Sequence, residues 1–152
     1  MSEDQMKDVF TRLMVEGFGQ GQVGVLDECF PPTYVEHQYD MPNTREGLKR
    51  TILGLRAAIP DLRFTLDEIV VAGDKVWARM TAYGTNTGPF MGRPPTGKPY
   101  TITVIDICRF ADGKIVEHWG VPDRFAMLDQ LGLLRPPALA GDGFGDRARS
   151  VV

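Results

Sequence analysis

At Leu62 the hydrophobic spacing of this chain changes from a helical period to a strand period, and that switch limits what it can fold into. Upstream, Met6, Val9, Phe10, Leu13 and Met14 are spaced for one face of a helix over about 4–17. The stretch "GFGQGQVG" breaks it, and 25–30 predicts one or two further helical turns. "PPTYVEHQYDMPNT" is bounded by proline and places Tyr34, Val35 and His37 in an extended segment. Asn43 followed by Glu46 resembles a capping box and opens a second long helix. Its buried face is Leu48, Ile52, Leu55 and Ile59, and Pro60 stops it.

Downstream of the switch, 63–71 and 75–85 alternate and are joined by the turn "AGD". A long loop rich in Gly and Pro, "GTNTGPFMGRPPTGKP", separates them from a second hairpin, 100–110 and 114–121, around "ADG". Pro122 at a first helical position and Asp123 in the first turn suit a final helix over 124–131, ended by Gly132. Helices followed by an antiparallel sheet give an α+β fold, with long helices laid on one face of a curved sheet around a pocket. The expected domain is 1–134. The tail 135–152, "RPPALAGDGFGDRARSVV", is expected to be a flexible extension or an arm on a neighbour.

Length and composition narrow the function. At 152 residues, with 43% hydrophobic residues, the chain fits one domain with one core. Net charge is −3, and no Lys/Arg run exceeds two residues, so nothing points to nucleic acid. Apolar runs such as Ile102–Ile107 are broken and too short to span a membrane. The acidic "MSEDQMKD" lacks the regions of a secretory signal, so a cytoplasmic location is expected. Cys29 and Cys108 read as small buried side chains rather than a disulfide. With only His37 and His118 available, no metal site is expected.

The stretch "DGKIVEHWGVPD" sets a polar pair, His118 and Trp119, in mid-strand. A two-residue turn at Asp112-Gly113 pairs Asp106 with Trp119. A type I turn with Gly113 as a left-handed bulge residue pairs Asp106 with His118 instead. The second register is favoured because it keeps one face consistent: Ile102, Val104, Cys108 and Phe110 with Val116, His118 and Gly120. Asp106 and His118 then face each other in apolar surroundings. Such a pair can accept and return a proton near neutral pH, or can be a satisfied polar contact under a helix. Trp119 faces the other way, as packing or a subunit contact, with Arg109 as an outward ion-pair partner. His37 is a surface residue or a pocket lid, and Asp123 partners the helix dipole.

Three motifs carry a resemblance: "IPDL", "GD-V-AR-T--GT-TG-F-G-PPTGK" and "R--DGKI-EHW---D----L-QLG". Over roughly 9–134 the chain resembles the SnoaL-like polyketide cyclases, within the superfamily of the nuclear transport factor 2 fold. The resemblance implies a cone-shaped barrel whose helices close a bent sheet around a cavity, often in dimers or tetramers. It also implies aldol ring closure without metal or organic cofactor. The cyclases' acid/base aspartate falls at Gly120, and a histidine of the preceding strand falls at Asp106. His118 matches a family histidine, and Asp123 matches the aspartate opening the last helix.

The expected catalytic pair is therefore Asp106 as base with His118 as partner and proton donor. The expected substrate-binding set is His37, Tyr34, Val104, Gly120 and Phe90. The ligand would be a hydrophobic, carbonyl-bearing, polyketide-like small molecule undergoing aldol-type cyclisation, isomerisation or hydrolysis, and the protein a homodimer or homotetramer. One alternative is a non-catalytic binding protein, with Gly120 enlarging the cavity. Another is a structural subunit whose outward Trp77, Tyr83 and Trp119 anchor an interface.

Overall fold

A computed structural model describes residues 1–134. Helix α1 (Glu3–Arg12) begins at Ser2, which forms a capping box with Gln5 and buries Met6 and Phe10. The winding then widens to a π-helical stretch, Leu13–Gly19, that keeps Leu13, Met14 and Gly17 buried. The single helix expected over 4–17 is thus two kinds of winding. Short α2 (Val25–Cys29) follows. In α3 (Arg45–Ala58) the cap is Thr44, whose hydroxyl accepts from Gly47 N at 3.1 Å, and not Asn43. The Asn43 side chain instead accepts from Glu36 N at 2.7 Å and pins the extended segment beside it.

Five strands form one sheet: β1 (Val35–Glu36), β2 (Arg63–Ala72), β3 (Lys75–Thr85), β4 (Pro99–Ala111) and β5 (Lys114–Pro122). Their order is β1-β5-β4-β3-β2, with β1 parallel to β5 and every other pairing antiparallel. Strand alternation puts Val76, Ala78, Met80 and Ala82 of β3, and Tyr100, Ile102, Val104, Cys108 and Phe110 of β4, on the buried face. Trp77, Ile105 and Val121 stand exposed on the other face. The helices cover the buried face, so the fold is the α+β arrangement of helices on a curved sheet. Fully buried Phe10, Leu26, Ile52 and Ile59 knit the two layers. Each such side chain stabilises by about 1.5–3 kcal/mol relative to exposure.

The long loop after β3 is tied down by fully buried Asn86. Its amide donates to the carbonyls of Ala58 (3.2 Å) and Gly88 (2.8 Å), and its Oδ1 accepts from Thr96 N at 2.8 Å. Gly88 passes so close to α3 that a Cβ would strike the carbonyl of Ala57. Helix α4 (Arg124–Gln130) is capped by Asp123, which accepts from Ala126 N at 2.9 Å. Pro122 closes β5 opposite Val104 rather than opening α4. Among the described residues no helix is long and apolar enough to cross a membrane. The tail 135–152 lies outside the described residues.

The register of the second hairpin differs from expectation. Asp112 (φ 49°) and Gly113 (φ 76°) both adopt positive φ, which is the two-residue turn with Ala111 opposite Lys114. One extra residue, Val116, then bulges between the pairs Phe110–Ile115 and Arg109–Glu117. The turn and the bulge each displace the ladder by one, so parity is restored. Asp106 lies opposite Gly120, and His118 lies opposite Cys108. Ile115, not Val116, takes the core position.

Candidate active site

Asp106 and His118 still share the buried face, as diagonal rather than direct neighbours. His118 Nε2 lies 3.6 Å from Asp106 Oδ1, too long for a hydrogen bond but close enough for a charge pair. The missing side chain at Gly120 permits this lean, because a Cβ there would stand 2.8 Å from His118 Cε1. Asp106 is 5% exposed, and its Oδ1 is buried without a hydrogen-bond partner. A buried carboxylate oxygen left this way costs several kcal/mol unless something supplies a proton or a positive charge.

The other ring nitrogen meets a residue that the sequence reading passed over. His118 Nδ1 lies 2.8 Å from Glu36 Oε1 and 3.0 Å from Oε2, and the Glu36 side chain is buried. Glu36 arrives on β1, where parallel pairing sets it beside His118. It also accepts from Gln38 N at 2.8 Å, and the Tyr34 hydroxyl lies 3.1 Å from Oε2 and 3.0 Å from the Pro42 carbonyl. Glu36 is therefore a held charge that fixes the ring. Burial alone would lower the His118 pKa, but the carboxylates of Asp106 and Glu36 outweigh it and push it up to about 9. Burial, aided by the nearby Glu36 charge, pushes the Tyr34 phenol well up, so it stays a neutral donor. Cys108, fully buried opposite His118, is likewise raised by burial and stays a thiol.

Glu36, Asp106, Cys108 and His118 line a cavity of about 410 Å³, with walls mainly apolar: Phe10, Met14, Phe64, Ile102 and Met127 among them. Of the expected binding residues, Val104 and Phe90 line it. Gly120 is buried at the acid/base end, but it opens no extra space. The Gln38 side chain stands where a residue-120 side chain would go. Tyr34 is buried behind Glu36 and does not line the cavity. His37 points to the outer face, stacks on Trp119 with ring centroids 4.6 Å apart, and meets Glu117 Oε1 at 2.9 Å. Strand parity explains the His37 correction, and bonding to Glu36 and the Pro42 carbonyl holds Tyr34 back from the cavity. Tyr34, Glu36 and Gln38 share one side, and Val35 and His37 the other, so period-two arithmetic on "YVEHQ" would have found Glu36. Arg109 pairs outward with Glu117 at 2.7 Å. Among the described residues no group of three His, Cys, Asp or Glu side chains is placed to hold a metal ion.

Comparison with known families gives a match between residues 8–131 and the family described as SnoaL-like polyketide cyclase. The chain belongs to the SnoaL-like polyketide cyclase family. Among relatives of this family member, the aklanonic acid methyl ester cyclase DauD of Streptomyces sp. (strain C5) is 29% identical over 128 residues, covering 80% of this chain and 78% of its own. The nogalonic acid methyl ester cyclase of Streptomyces nogalater is 26% identical over 124 residues, covering 78% and 92%. Of solved structures, TsrD from Streptomyces laurentii superposes with a TM-score of 0.80 at 30% identity, over 88% of this chain and 99% of that one. IdmH from Streptomyces antibioticus gives 0.71 at 38% identity, over 83% and 97%. Within this SnoaL-like frame, the centre described above is built from Asp106, His118 and Glu36.

Proposed function

We propose that this protein is a cofactor-free acid/base enzyme acting on a hydrophobic, carbonyl-bearing, polyketide-like molecule. The observation that carries the reading is the Asp106 carboxylate: it lines an apolar cavity, and its buried Oδ1, without a hydrogen-bond partner, lies 3.6 Å from His118 Nε2. In an aldol-type closure, the Asp106 carboxylate removes the proton from carbon beside a carbonyl. The resulting enolate carbon attacks a second carbonyl of the same molecule, forming the carbon–carbon bond. His118 Nε2–H gives its proton to the new alkoxide, and the proton on Asp106 returns to His118. Glu36 keeps Nδ1 as a donor throughout and stabilises the imidazolium between turnovers. The apolar walls fold the substrate and exclude water.

That relatives act on aklanonic and nogalonic acid methyl esters supports these two compounds as first substrates. Each is to be incubated with the protein, and ring closure followed by absorbance and chromatography. Asp106→Asn is expected to lower turnover at least 100-fold with the fold intact, and undiminished turnover places the base elsewhere. Deprotonation of 5-nitrobenzisoxazole, an apolar carbon acid, reads the base independently of the natural substrate. Gly120, at the cyclases' aspartate position, favours a second reading: a non-catalytic carrier of the same ligands. Binding of the methyl esters with no rate above the buffer blank for any of the three compounds would establish it. The exposed Trp77, Ile105 and Val121 on the sheet's outer face support a homodimer, which light scattering tests directly.

A further inference from the structure

Tyr100 is a buried tyrosine whose hydroxyl finds no partner among the described residues. It stands near the start of β4, only 4% exposed, and it lines the cavity. The other buried tyrosine makes the contrast, since the Tyr34 hydroxyl meets Glu36 and the Pro42 carbonyl. At Tyr100, burial and the charge of Asp61 push the phenol up to about 12, and no side-chain hydrogen bond acts on it. Asp61 is spent elsewhere, accepting from the Thr85 N–H at 2.7 Å and from the Thr85 hydroxyl at 3.0 Å. Nor is the Tyr100 oxygen sealed in, as Asp106 Oδ1 is. Phenylalanine would fill the same wall without desolvating a hydroxyl, so the oxygen calls for an acceptor brought by whatever occupies the cavity.

Strand geometry fixes where that acceptor lies. Tyr100, Ile102, Val104 and Asp106 alternate along the buried face of β4, which sets Tyr100 about 20 Å from Asp106 along the strand. All four line the cavity, and the two in between are apolar. We propose that Tyr100 is a specificity-determining residue at the end of the cavity remote from Asp106 and His118, where its hydroxyl donates to a further carbonyl oxygen of the ligand. The inference rests on the cavity being the ligand site, as proposed above, and deepens it. The substrate class narrows to elongated apolar molecules that carry a carbonyl far from the reacting end. Held protonated up to about pH 12, the phenol is a neutral donor throughout the neutral range. A ligand with a methylene at that place leaves the hydroxyl unpaired, a larger penalty than one lost contact.

The test uses 9-fluorenone and fluorene, flat apolar tricycles that differ at one carbon, a carbonyl in the first and a methylene in the second. Affinities are measured by calorimetry on the full chain. Wild type is expected to bind fluorenone tighter by about fivefold or more. Tyr100→Phe, which removes only the oxygen, is expected to bring the two within about twofold, and Tyr100→Leu serves as the second variant. Infrared spectra give an independent signature. The carbonyl of bound fluorenone is expected to stretch at lower frequency than in hexane with wild type, and to return toward the hexane value with Tyr100→Phe. A tyrosine that merely packs would move neither readout. Equal wild-type affinities, no binding of either probe, an unshifted wild-type carbonyl, or a preference that survives in the folded Tyr100 variants overturns the assignment. Deprotonation of 5-nitrobenzisoxazole by wild type, run alongside, separates the two readings. A carbonyl preference without deprotonation refutes the base and leaves Tyr100 standing. Deprotonation without the preference refutes Tyr100 and leaves the base.

Discussion

If Glu36 and Asp106 hold His118 as an imidazolium, stability must carry its signature in pH. The folded pKa of about 9 stands above the ordinary 6.5, and the ring is buried, with only 14% of its side chain exposed. The imidazolium therefore stabilises the fold fully below pH 6.5, and the contribution disappears as pH climbs through 9. Integrating between those two values gives a contribution of about 3 kcal/mol at pH 6 that falls steadily from pH 7 upward and is almost gone by pH 10. Urea unfolding at pH 6, 7, 8 and 9.5 should show wild-type stability falling along that curve. In Glu36→Gln the curve should flatten, because one of the two charges raising the pKa is gone. His118→Gln should lose the dependence while costing stability at every pH, since it leaves two carboxylates facing each other. Proton NMR of the His118 ring locates the titration itself. A wild-type ring that titrates at or below 6.5, with flat stability from pH 6 to 9.5, refutes the electrostatic account of the site.

Asp106→Asn keeps the side-chain volume but removes the larger of the two charges that raise the His118 pKa, so it is expected to lower stability near neutral pH by no more than about 3 kcal/mol in urea unfolding while turnover collapses. Strong unfolding would instead make the pair structural. Asn86→Ala removes the bonds to Ala58, Gly88 and Thr96 and is expected to cost about 2–4 kcal/mol, as read by thermal melting. A loss under 1 kcal/mol would show that the loop is held by other means. Gly120→Asp sets its Cβ against Gln38, His118 and Asp106, so it is expected to melt lower than wild type. Adding Gln38→Ala should recover part of that loss, and no recovery would mean that Gln38 is not what fills the space.

The strands were legible to within about a residue because alternation is a local signal that survives without tertiary context. The hairpin register was not. Asp-Gly at 112–113 suits either turn type, and the bulge at Val116 is chosen by packing across the sheet rather than by turn chemistry. The shared face of Asp106 and His118 was nevertheless readable, because turn and bulge together preserve parity. Glu36 was harder, since its parallel pairing with His118 joins residues 82 apart. His37 and Tyr34 were placed in the pocket together although alternation forbids it. The helix starts followed the same lesson. Thr44 and Asp123 cap because their side chains reach the N–H groups three residues on, whereas Asn43, one residue earlier, is spent on β1.

A strand of two residues at the sheet's margin helps, with Asp106, to set the acidity of the buried imidazole from within and, through its next residue, lies under a tryptophan outside. Edits to the surface excursion 31–44 can therefore retune the reactive end by remote control, leaving the main ladder of β2 to β5 untouched. The chemistry of this scaffold is adjustable from its rim, where mutation is most easily tolerated.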